Sequence, residues 1–449
     1  MNVKFSRFVY PAFVALIVVR IAGAAPSDTI QLSLHQAIDT ARVNAVGVQL
    51  AHSKSREMNE RVGEFRGAML PHIGATAWDA VRSMDLPAMG FSSSTFGGGG
   101  AGPALPNLIT PFNAQDARVN ASLSLIDVSA WKRYQASRRE QESSVWEEEI
   151  AAENAILMTA VAYLQLARIR ALVAARQSEL SLAQQLADIT RSQKQAGTTT
   201  RLEVIRAEGQ VSAAQGSLAV AAGEEEQARY ALLRTLGSDL GAYPKLTDTL
   251  SLGGEEPSSL SDSLLPQALS SRPEVALAGK QAEAARAELG SLRAAALPTL
   301  NFAADYGLSG RRLNSNAEWT ETVALQLNWN LWDGGQRHAR RSEQTERLRQ
   351  AEIRQHDATS IVEQQVRVSM ASMKFTREQA THALERVKLA EEETRLAKER
   401  FQSGGSGNLE VITAQAALSM AHDSYIDALY GYCRARMDFL GATHQLAGL

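Results

Sequence analysis

From Gln336 to Ser403 the chain contains neither glycine nor proline, and this is one of its longest stretches of that kind. Ala, Glu, Arg, Gln and Leu dominate it, and the two residue types that most often interrupt helices are absent. These features predict one continuous helix of about 100 Å at 1.5 Å per residue. Its apolar residues form a narrow stripe between Ala351 and Val387. Such a helix must pack against other long helices, as in a coiled coil or a helical barrel.

A second stretch of the same kind occurs earlier, from Val128 to Ala196, and it too is free of glycine and proline. Both stretches end at a glycine-containing turn, and both turns are followed by the tetrapeptide Leu-Glu-Val-Ile, at Leu202–Ile205 and Leu409–Ile412. The two copies are separated by nearly half of the chain. This self-similarity indicates a tandem duplication, and hence a mainly helical fold with an internal two-fold repeat.

Four shorter segments have the two-residue period of β-strands. Thr322–Leu331 alternates apolar residues with small polar ones, and so do Arg118–Leu125, Leu300–Tyr306 and, less regularly, His72 to about Val81. A half-buried soluble sheet would show the same alternation, but strands with one apolar and one small polar face are typical of membrane β-barrels. Four strands cannot close a barrel, and open edges are not tolerated in lipid. Several copies must therefore contribute; two would give eight strands and three would give twelve.

The N-terminus has the features of an export signal. Lys4 and Arg7 precede the mostly apolar run Phe8–Val19, and small residues at 22–24 offer a cleavage site, so 1–24 is predicted to be a signal peptide. We expect no other apolar run to span a bilayer as a helix. Removal of 1–24 leaves a net charge of −6, which predicts no nucleic-acid partner. The single cysteine, Cys433, excludes an internal disulfide framework.

The repeat divides the mature chain into three parts. Residues 25–237 form the first repeat, 238–264 a linker or equatorial segment, and 265–449 the second repeat; each repeat is predicted to contain a helix, a strand pair, a long helix and a return helix. Two shorter helices stacked end to end are together as long as one long helix, so each such pair is expected to lie beside a long helix. The shorter helices are expected at Ala37–Leu70, Leu202–Leu236, Leu265–Leu297 and Leu409–Leu440.

This order of elements, together with short motifs, resembles the TolC-like outer membrane factors, the outer-membrane channels of efflux pumps and type I secretion systems. The motifs are Leu32-Ser33-Leu34, Arg272-Pro273-Glu274, Leu297-Pro298, Leu331-Trp332-Asp333-Gly334-Gly335 and the two glycine turns. The resemblance implies a homotrimer in the Gram-negative outer membrane, with a 12-stranded barrel in outer-membrane lipid and a 12-helix tunnel across the periplasm. Its implied partners are a periplasmic adaptor (membrane fusion) protein and an inner-membrane transporter, which open a passive exit duct.

Two departures from the family pattern concern the branch to which the chain belongs. Many pump-linked members carry a lipidated N-terminal cysteine and a proline just before the Leu-aromatic-Asp-Gly-Gly motif. This chain has neither, and Asn330 stands at the second position. The difference favours the unlipidated, secretion-type branch, while the exported substance is left open.

In the family the tips of the two helical hairpins form the periplasmic entrance. The resemblance assigns gate or constriction positions to Glu203, Glu410, Thr413 and Phe401. Three copies of a carboxylate near one axis would raise one another's pKa and would favour cations. A purely structural role is the alternative, because Glu203 can form a capping box with Thr200 and Glu410 lies in the first turn of a helix.

The same tips are implied to receive the adaptor. The implied docking residues are Gly197, Thr198, Thr199, Leu202, Gly404, Gly405, Ser406 and Leu409. The tip glycines, Gly197, Gly404, Gly405 and Gly407, are also expected for a structural reason, since reversing a helix commonly requires a residue with positive φ.

No catalytic, cofactor or metal motif stands out. The eight histidines are spread singly, without an HExxH motif, paired metal-ligand spacing or a serine elbow. We therefore expect no enzyme, no cofactor and no metal site. Two other classes stay open: a periplasmic coiled-coil scaffold without channel activity, which would leave the strands without a purpose, and a soluble exported enzyme, which would need a convergent polar pocket.

Overall fold

A computed structural model of the chain describes residues 29–85, 87, 108–253, 264–315, 317–403 and 405–446. The predicted signal peptide, Gly404 and much of the first strand-to-strand loop lie outside the described residues. Within the described ranges the chain is mainly helical, with one four-stranded sheet and one small two-stranded sheet.

The two halves of the chain have the same order of elements: two shorter helices, a strand pair, a long helix and a return helix. The first half contains β1 (Thr29–Leu32), α1 (Leu34–Asn44), α2 (Val46–Gly67), β2 (His72–Asp85), β3 (Leu108–Ile126), α3 (Val128–Gln195) and α4 (Arg201–Leu236). The second part contains β4 (Tyr243–Leu246), α5 (Leu264–Ser271), α6 (Pro273–Ala294), β5 (Thr299–Gly310), β6 (Ala317–Asn328), α7 (Gln336–Gln402) and α8 (Asn408–Ala442).

The two long helices confirm the prediction from composition. They contain 68 and 67 residues and end within one residue of the predicted positions. Asp127 caps α3, because its carboxylate accepts a hydrogen bond from the Ala130 N–H at 2.9 Å. At the start of α7, Asp333 accepts from the N–H groups of Gly335 (3.2 Å) and Arg337 (2.9 Å). Acidic groups are favourable at these positions because a helix N-terminus carries partial positive charge.

The predicted helices at Ala37–Leu70 and Leu265–Leu297 are each interrupted, so the prediction of one continuous helix in each range is wrong. The first breaks at Ala45 (ψ 134°) and the second at Arg272 (ψ 124°). Arg272 precedes Pro273, and the residue before a proline is driven out of the helical region. The break at Ala45 occurs without a proline. There the Asn44 carbonyl packs so closely on Gly237 that an added Cβ would lie 2.5 Å from its oxygen.

The packing of the helices confirms that shorter helices lie beside the long ones. Along its length α3 contacts α2 and then α4 on one side, and α6 and α8 on the other. α7 packs against α6 and α8. The buried positions of α7 recur along the predicted stripe, and they include Ala351, Val362, Val366, Met373, Ala380 and Val387.

One part of α3 corrects an expectation about membrane helices. It contains an 18-residue window that is long and apolar enough to cross a membrane by length and composition alone. Only 39% of that window is buried within the chain. Because α3 contacts neighbouring helices along its length, we interpret it as the central helix of a packed layer.

The four-stranded sheet has the order β2-β3-β5-β6, and every neighbouring pair is antiparallel. β3 joins β5 across the two halves of the chain. β2 and β6 are the outer strands, and among the described residues neither has a second neighbour. The strands are longer than the alternation alone predicted, and β6 ends at Asn328, so Trp329 and Leu331 follow the strand instead of belonging to it.

The two faces of the sheet differ in polarity, as predicted. Val119, Tyr306 and Ala304 share one face with the outward residues of β6, of which Val323, Leu325 and Leu327 are each about two thirds exposed or more. The opposite face carries Arg118, Gly307 and Thr320 in one row and Asn120, Asp305 and Thr322 in the next.

An ion-pair cluster joins β3 to β5 on the polar face. Arg118 pairs with Asp116 on its own strand and with Asp305 of β5 at 2.9 Å. Gly307 lies directly opposite Arg118, and a Cβ added there would be 2.3 Å from the Ala117 carbonyl oxygen. A side chain at this position would therefore overlap the neighbouring strand.

A second, two-stranded sheet was not predicted. β1 pairs in parallel with β4, which lies in the segment predicted as a linker or equatorial segment. The Tyr163 hydroxyl of α3 donates a hydrogen bond to the Leu32 carbonyl at 3.0 Å and lies 3.1 Å from a carboxylate oxygen of Asp248. These contacts attach the N-terminal strand and the 238–264 segment to the middle of α3.

Candidate functional site

The first hairpin tip joins α3 to α4. Gly197 has φ of +76°, a conformation that favours glycine, and the following Thr198 N–H donates to the Gln193 carbonyl at 2.9 Å. This bond closes the C-terminal end of α3. Thr200 caps α4, because its hydroxyl accepts a hydrogen bond from the Glu203 N–H at 3.4 Å. The predicted role of Gly197 as a turn residue is confirmed.

The second tip joins α7 to α8 with a different backbone. The Gly405 N–H donates to the Arg400 carbonyl at 2.8 Å, and Gly407 precedes α8 with extended backbone (φ −81°, ψ 167°). The expectation of positive φ is therefore wrong for Gly405 and Gly407, because bends and extended backbone reverse the chain here. Gly404, also predicted as a tip residue, lies outside the described residues.

The remaining docking positions differ in exposure. Leu202 and Leu409 are 53% and 55% exposed, so each tip presents one leucine to solvent. Thr198 is exposed, and Thr199 and Ser406 are partly buried. The tips thus carry two small exposed apolar surfaces, one leucine after each turn.

Asn408 connects the two tips and was not singled out from the sequence as a site residue. Its side chain is fully buried, and its Nδ2 group donates to the Glu203 carbonyl at 2.9 Å. The bond joins the first residue of α8 to the first turn of α4. An asparagine after a glycine turn predicts only a helix cap, so its long-range partner was not visible in the sequence.

Glu203 serves mainly to organise the start of α4. Its Oε1 atom lies 3.0 Å from Arg206, one turn along the same helix. Its Oε2 atom is buried and, among the described atoms, has no hydrogen-bond partner. The structural alternative is therefore present in part: Thr200 caps the Glu203 N–H, while one carboxylate oxygen is left without a partner.

Glu410 forms a contact across the second hairpin. Its Oε1 atom lies 2.6 Å from an Arg400 guanidinium nitrogen, and both side chains are substantially exposed. Thr413, the other predicted gate position, is exposed and its hydroxyl donates to the Glu410 carbonyl at 2.9 Å. In the single chain the carboxylate of Glu410 is thus compensated by a cation from the same hairpin.

Phe401 is a core residue in the single chain. It is 5% exposed and packs in one cluster with Leu186, Ala397, Val411 and Ala414. The cluster joins α3, α7 and α8 just behind the second tip. Phe401 therefore stabilises the hairpin through packing of its ring, and it has no hydroxyl with which to form a hydrogen bond at the entrance.

The tips therefore have the chemistry of a contact surface. Glu203, Glu410 and Thr413 lie within two turns of the hairpin ends, while Phe401 lies in the core behind them. Within the described residues there is no group of three or more His, Cys, Asp or Glu side chains that could hold a metal ion. The two hairpins contact each other through the hydrogen bond from Asn408 to the Glu203 carbonyl.

Comparison with known sequences matches part of the chain to a family. Residues 264–439 match the family described as "Outer membrane efflux protein". The probable outer membrane lipoprotein SilC of Salmonella typhimurium is 25% identical over 248 residues, which cover 52% of this chain and 51% of SilC. Outer membrane protein OprJ of Pseudomonas aeruginosa is 27% identical over 255 residues, covering 52% of this chain and 49% of OprJ. The chain thus spans about half the length of these curated relatives.

Solved structures share the fold over most of the chain. The Campylobacter jejuni CmeC outer membrane channel superimposes with a TM-score of 0.78 at 17% identity, covering 92% of this chain and 85% of that channel. The outer membrane protein VceC of Vibrio cholerae gives a TM-score of 0.74 at 16% identity, covering 91% and 95%. At these identities the likeness concerns the fold alone. The chain thus has the fold of these outer-membrane channels, and its residues 264–439 match the outer membrane efflux protein family.

Proposed function

We propose that the chain is the outer-membrane channel of a tripartite efflux pump or a type I secretion system. In this proposal it is a passive exit duct that a periplasmic adaptor and an inner-membrane transporter open. Three copies form one 12-stranded barrel in the membrane and one helical tube below it. The observation that carries the proposal is the sheet, which has an apolar face and two outer strands without a second neighbour among the described residues.

The directions of the outer strands support closure by identical copies. β2 leads away from the helices and β6 leads back toward them, so β6 of one copy and β2 of the next would pair antiparallel. Every other pair in the sheet is also antiparallel. A closed barrel satisfies all the backbone hydrogen-bonding groups that an open sheet would expose to lipid.

Aromatic residues on the apolar face support a membrane of ordinary thickness. Trp319 stacks on Tyr306 with ring centroids 4.9 Å apart near the loop end of the sheet, and Trp329 directly follows β6 at its helical end. Both tryptophans are about 60% exposed. Ten residues at about 3.4 Å each, tilted by about 40°, span about 26 Å. Outer-membrane barrels have an apolar band about 25 Å tall between two aromatic girdles.

The division of the chain follows the same proposal. Residues 25–237 and 265–449 are two copies of one unit that arose by duplication, and 238–264 is the equatorial segment. The recurrence of the element order and the pairing of β4 with β1 support this division. Each unit then contributes one strand pair to the barrel and one hairpin tip to the entrance.

The gate and the docking surface are assigned to the tips. Glu203 and Glu410, with Thr413 beside them, are proposed to approach the axis of the trimer, and Phe401 is proposed to support the hairpin from behind. Leu202 and Leu409, with the intervening turn residues, are proposed to receive the adaptor. Their exposure supports this assignment. Photo-crosslinkers at Thr199 and Ser406 in living cells should capture a periplasmic adaptor, and a probe at the exposed Arg56 of α2 should not.

Two measurements on the purified protein test the channel itself. We expect a mass of three chains in mild detergent and stepwise ion conductance when the protein is added to planar lipid bilayers. A coiled-coil scaffold would be extracted without detergent and would give no conductance. A monomer in mild detergent, or a trimer that leaves the bilayer insulating, would contradict the proposal.

A further inference from the structure

A long groove runs over the helices next to the sheet. α2, α3, α6 and α7 are neighbours in that order, and residues of all four line one groove of about 780 Å³. A groove that reaches both α2 and α7 must lie on the concave side of this curved layer. If three copies close into a tube, as proposed above, the concave side becomes the inner wall of the conduit.

The groove is more basic than the chain as a whole. Its lining has five cationic side chains: Lys54, Arg61, Arg133, Arg347 and Arg354. Three carboxylates line it as well: Glu140, Glu147 and Glu288. The lining alone has a charge of +2 for each copy, or +1 when Glu343, which pairs with Arg347 from outside the lining, is counted, although the whole chain has a formal charge of −3. Positive charge is therefore concentrated on the face that would enclose the solute.

The two sides of the groove differ in how their charges are compensated. On α2, Lys54 lies 2.7 Å from Glu147 and Arg61 lies 3.4 Å from Glu140, so these charges form pairs with α3. On α7, Arg347 pairs with Glu343 at 2.6 Å.

Arg133 and Arg354 are the lining cations without an ion pair, and the lining carboxylate Glu288 offsets part of their charge. Arg133 donates to the Ser129 hydroxyl at 3.1 Å and interacts electrostatically with Asp127 beyond it, but neither Arg133 nor Arg354 has a carboxylate within 4 Å among the described residues. Both side chains are exposed.

The spacing on α7 extends this pattern along the helix. Arg340, Arg347 and Arg354 recur every seven residues, which places them along one face because seven residues make nearly two turns. With Arg133 opposite, three copies would place twelve arginines along the conduit, and the three copies of Arg347 among them are paired with Glu343. Inside a water-filled tube with low-dielectric walls, like charges of this kind raise the local concentration of ions of the opposite sign.

We propose that this concave groove binds anionic solutes, and that the exported cargo is therefore anionic. The inference rests on the channel proposed above and deepens it by naming the charge class of the cargo. The arginines act here as an attractive surface for solutes with several negative charges, such as phosphorylated or polycarboxylate compounds. Multivalent anions gain most from such a wall, since their attraction grows with their charge.

Block of single channels by inorganic tripolyphosphate tests the proposal. The probe is added in 0.1 M salt on the side of the barrel loops, where it reaches the groove without passing the hairpin tips. We expect brief interruptions of the current in the wild type. The double variant R133A/R354A should shorten their mean duration at least about 10-fold, and 1 M salt should have the same effect because the screening length falls to about 3 Å.

A matched control removes the same charge from the opposite side of the helices. Arg56 and Arg349 each lie two residues from a groove-lining cation, about 200° around the helix, and neither lines the groove. R56A/R349A should keep the wild-type block within about twofold. Equal block in the two double variants, or no block in the wild type, would overturn the inference while leaving the channel intact.

Two safeguards keep the test decisive. A protein that gives no conductance at all would refute the proposed channel, which is a different outcome from conductance without block. If R133A/R354A does not assemble as a trimer, the single variant R354Q should shorten the block at least about threefold, since one of the two arginines without a carboxylate partner is removed from each copy. Unchanged block in R354Q would then count against the groove.

Discussion

The hydrogen bond between the two hairpin tips makes the sharpest prediction. Asn408 is fully buried, and its amide is the group that donates to the Glu203 carbonyl. Asn408→Ala removes the donor and leaves that carbonyl without its partner. Losing a buried hydrogen bond in this way costs about 1–3 kcal/mol. The equilibrium between docked and separated tips should then shift about 5- to 150-fold in each copy.

Planar-bilayer recording measures the shift as the fraction of time for which the channel conducts. Asn408→Asp keeps the shape of the side chain but is a stronger perturbation, because a carboxylate would face the Glu203 carbonyl with no proton to donate. Its charge would also lie near the Glu203 side chain, one oxygen of which is buried without a partner among the described atoms. We expect the conducting fraction to rise in the order wild type, N408A, N408D.

Thr381→Ala is the control for this series. The Thr381 hydroxyl is exposed, lies on α7 away from the tips and donates to the Arg377 carbonyl of its own helix at 3.0 Å, so its loss should change the conducting fraction less than about twofold. If N408A and N408D assemble as trimers and conduct for the same fraction of time as the wild type, the bond between the tips does not hold the entrance closed.

Three further predictions concern the sheet, the gate and the start of α7. Gly307→Val should lower the temperature at which the trimer dissociates, because overpacking costs about 1–3 kcal/mol. Gly290→Ala in α6 is the control and should be neutral or stabilising, because an added Cβ there meets nothing within 4 Å. Equal effects of the two variants would contradict the overlap of a side chain at position 307 with β3. Glu410→Ala should weaken the block of the channel by divalent cations. Its stability should change little, since exposed ion pairs contribute about 0.2–1 kcal/mol, and Arg400→Ala should keep the block. Unchanged block in E410A would remove Glu410 from the gate. Burial alone would raise the pKa of Asp333, but hydrogen bonds from Arg337 and Gly335 hold this pKa below its ordinary value. The carboxylate therefore stabilises the fold at neutral pH and loses this effect as the pH falls through its lowered pKa. Thermal unfolding of Asp333→Asn should therefore differ from wild type at pH 7 and converge with it as the pH falls below that lowered pKa.

Local sequence properties predicted the long elements well. The stretch from Gln336 to Ser403, without glycine or proline, has few alternatives to a helix, and strict alternation from Thr322 specifies which residues share a face. The ends of strands were predicted less well, because backbone pairing continues beyond the residues whose polarity alternates. β3 extends from Leu108 although the alternation was evident only from Arg118.

Features that depend on contacts between distant segments were not predictable. The break at Ala45 is packed against Gly237, which lies at the far end of the first repeat, and no local signal marks it. β1 and β4 are four residues each, and they pair although the whole of the first repeat after β1 separates them. A strand that short has no periodic pattern to recognise.

In the candidate site, too, local features could be predicted from the sequence and contacts between distant segments could not. The position of Glu203 and Glu410 after the turns could be predicted from the repeated tetrapeptide. Their partners could not: Arg400 reaches Glu410 across a hairpin, and Asn408 reaches Glu203 from the other half of the chain. Which oxygen of a carboxylate is paired depends on how two hairpins dock, and that is a property of packing.

The outer strands of the sheet are continuous with the outer helices of the helical layer, and this limits how copies can assemble. β2 follows α2 and β6 precedes α7, so one contact between copies would complete both layers. Each copy adds four strands and four helical positions, and a trimer has twelve of each. Twelve helices about 9 Å apart give a tube about 35 Å wide, whereas twelve strands about 4.8 Å apart, tilted by about 40°, give a barrel about 24 Å wide. In the proposed trimer the chain would therefore spread outward where the strands meet the helices. Gly334 and Gly335, with φ of +66° and +89°, provide that change of direction before α7, and a Cβ at either would be strained by its backbone conformation.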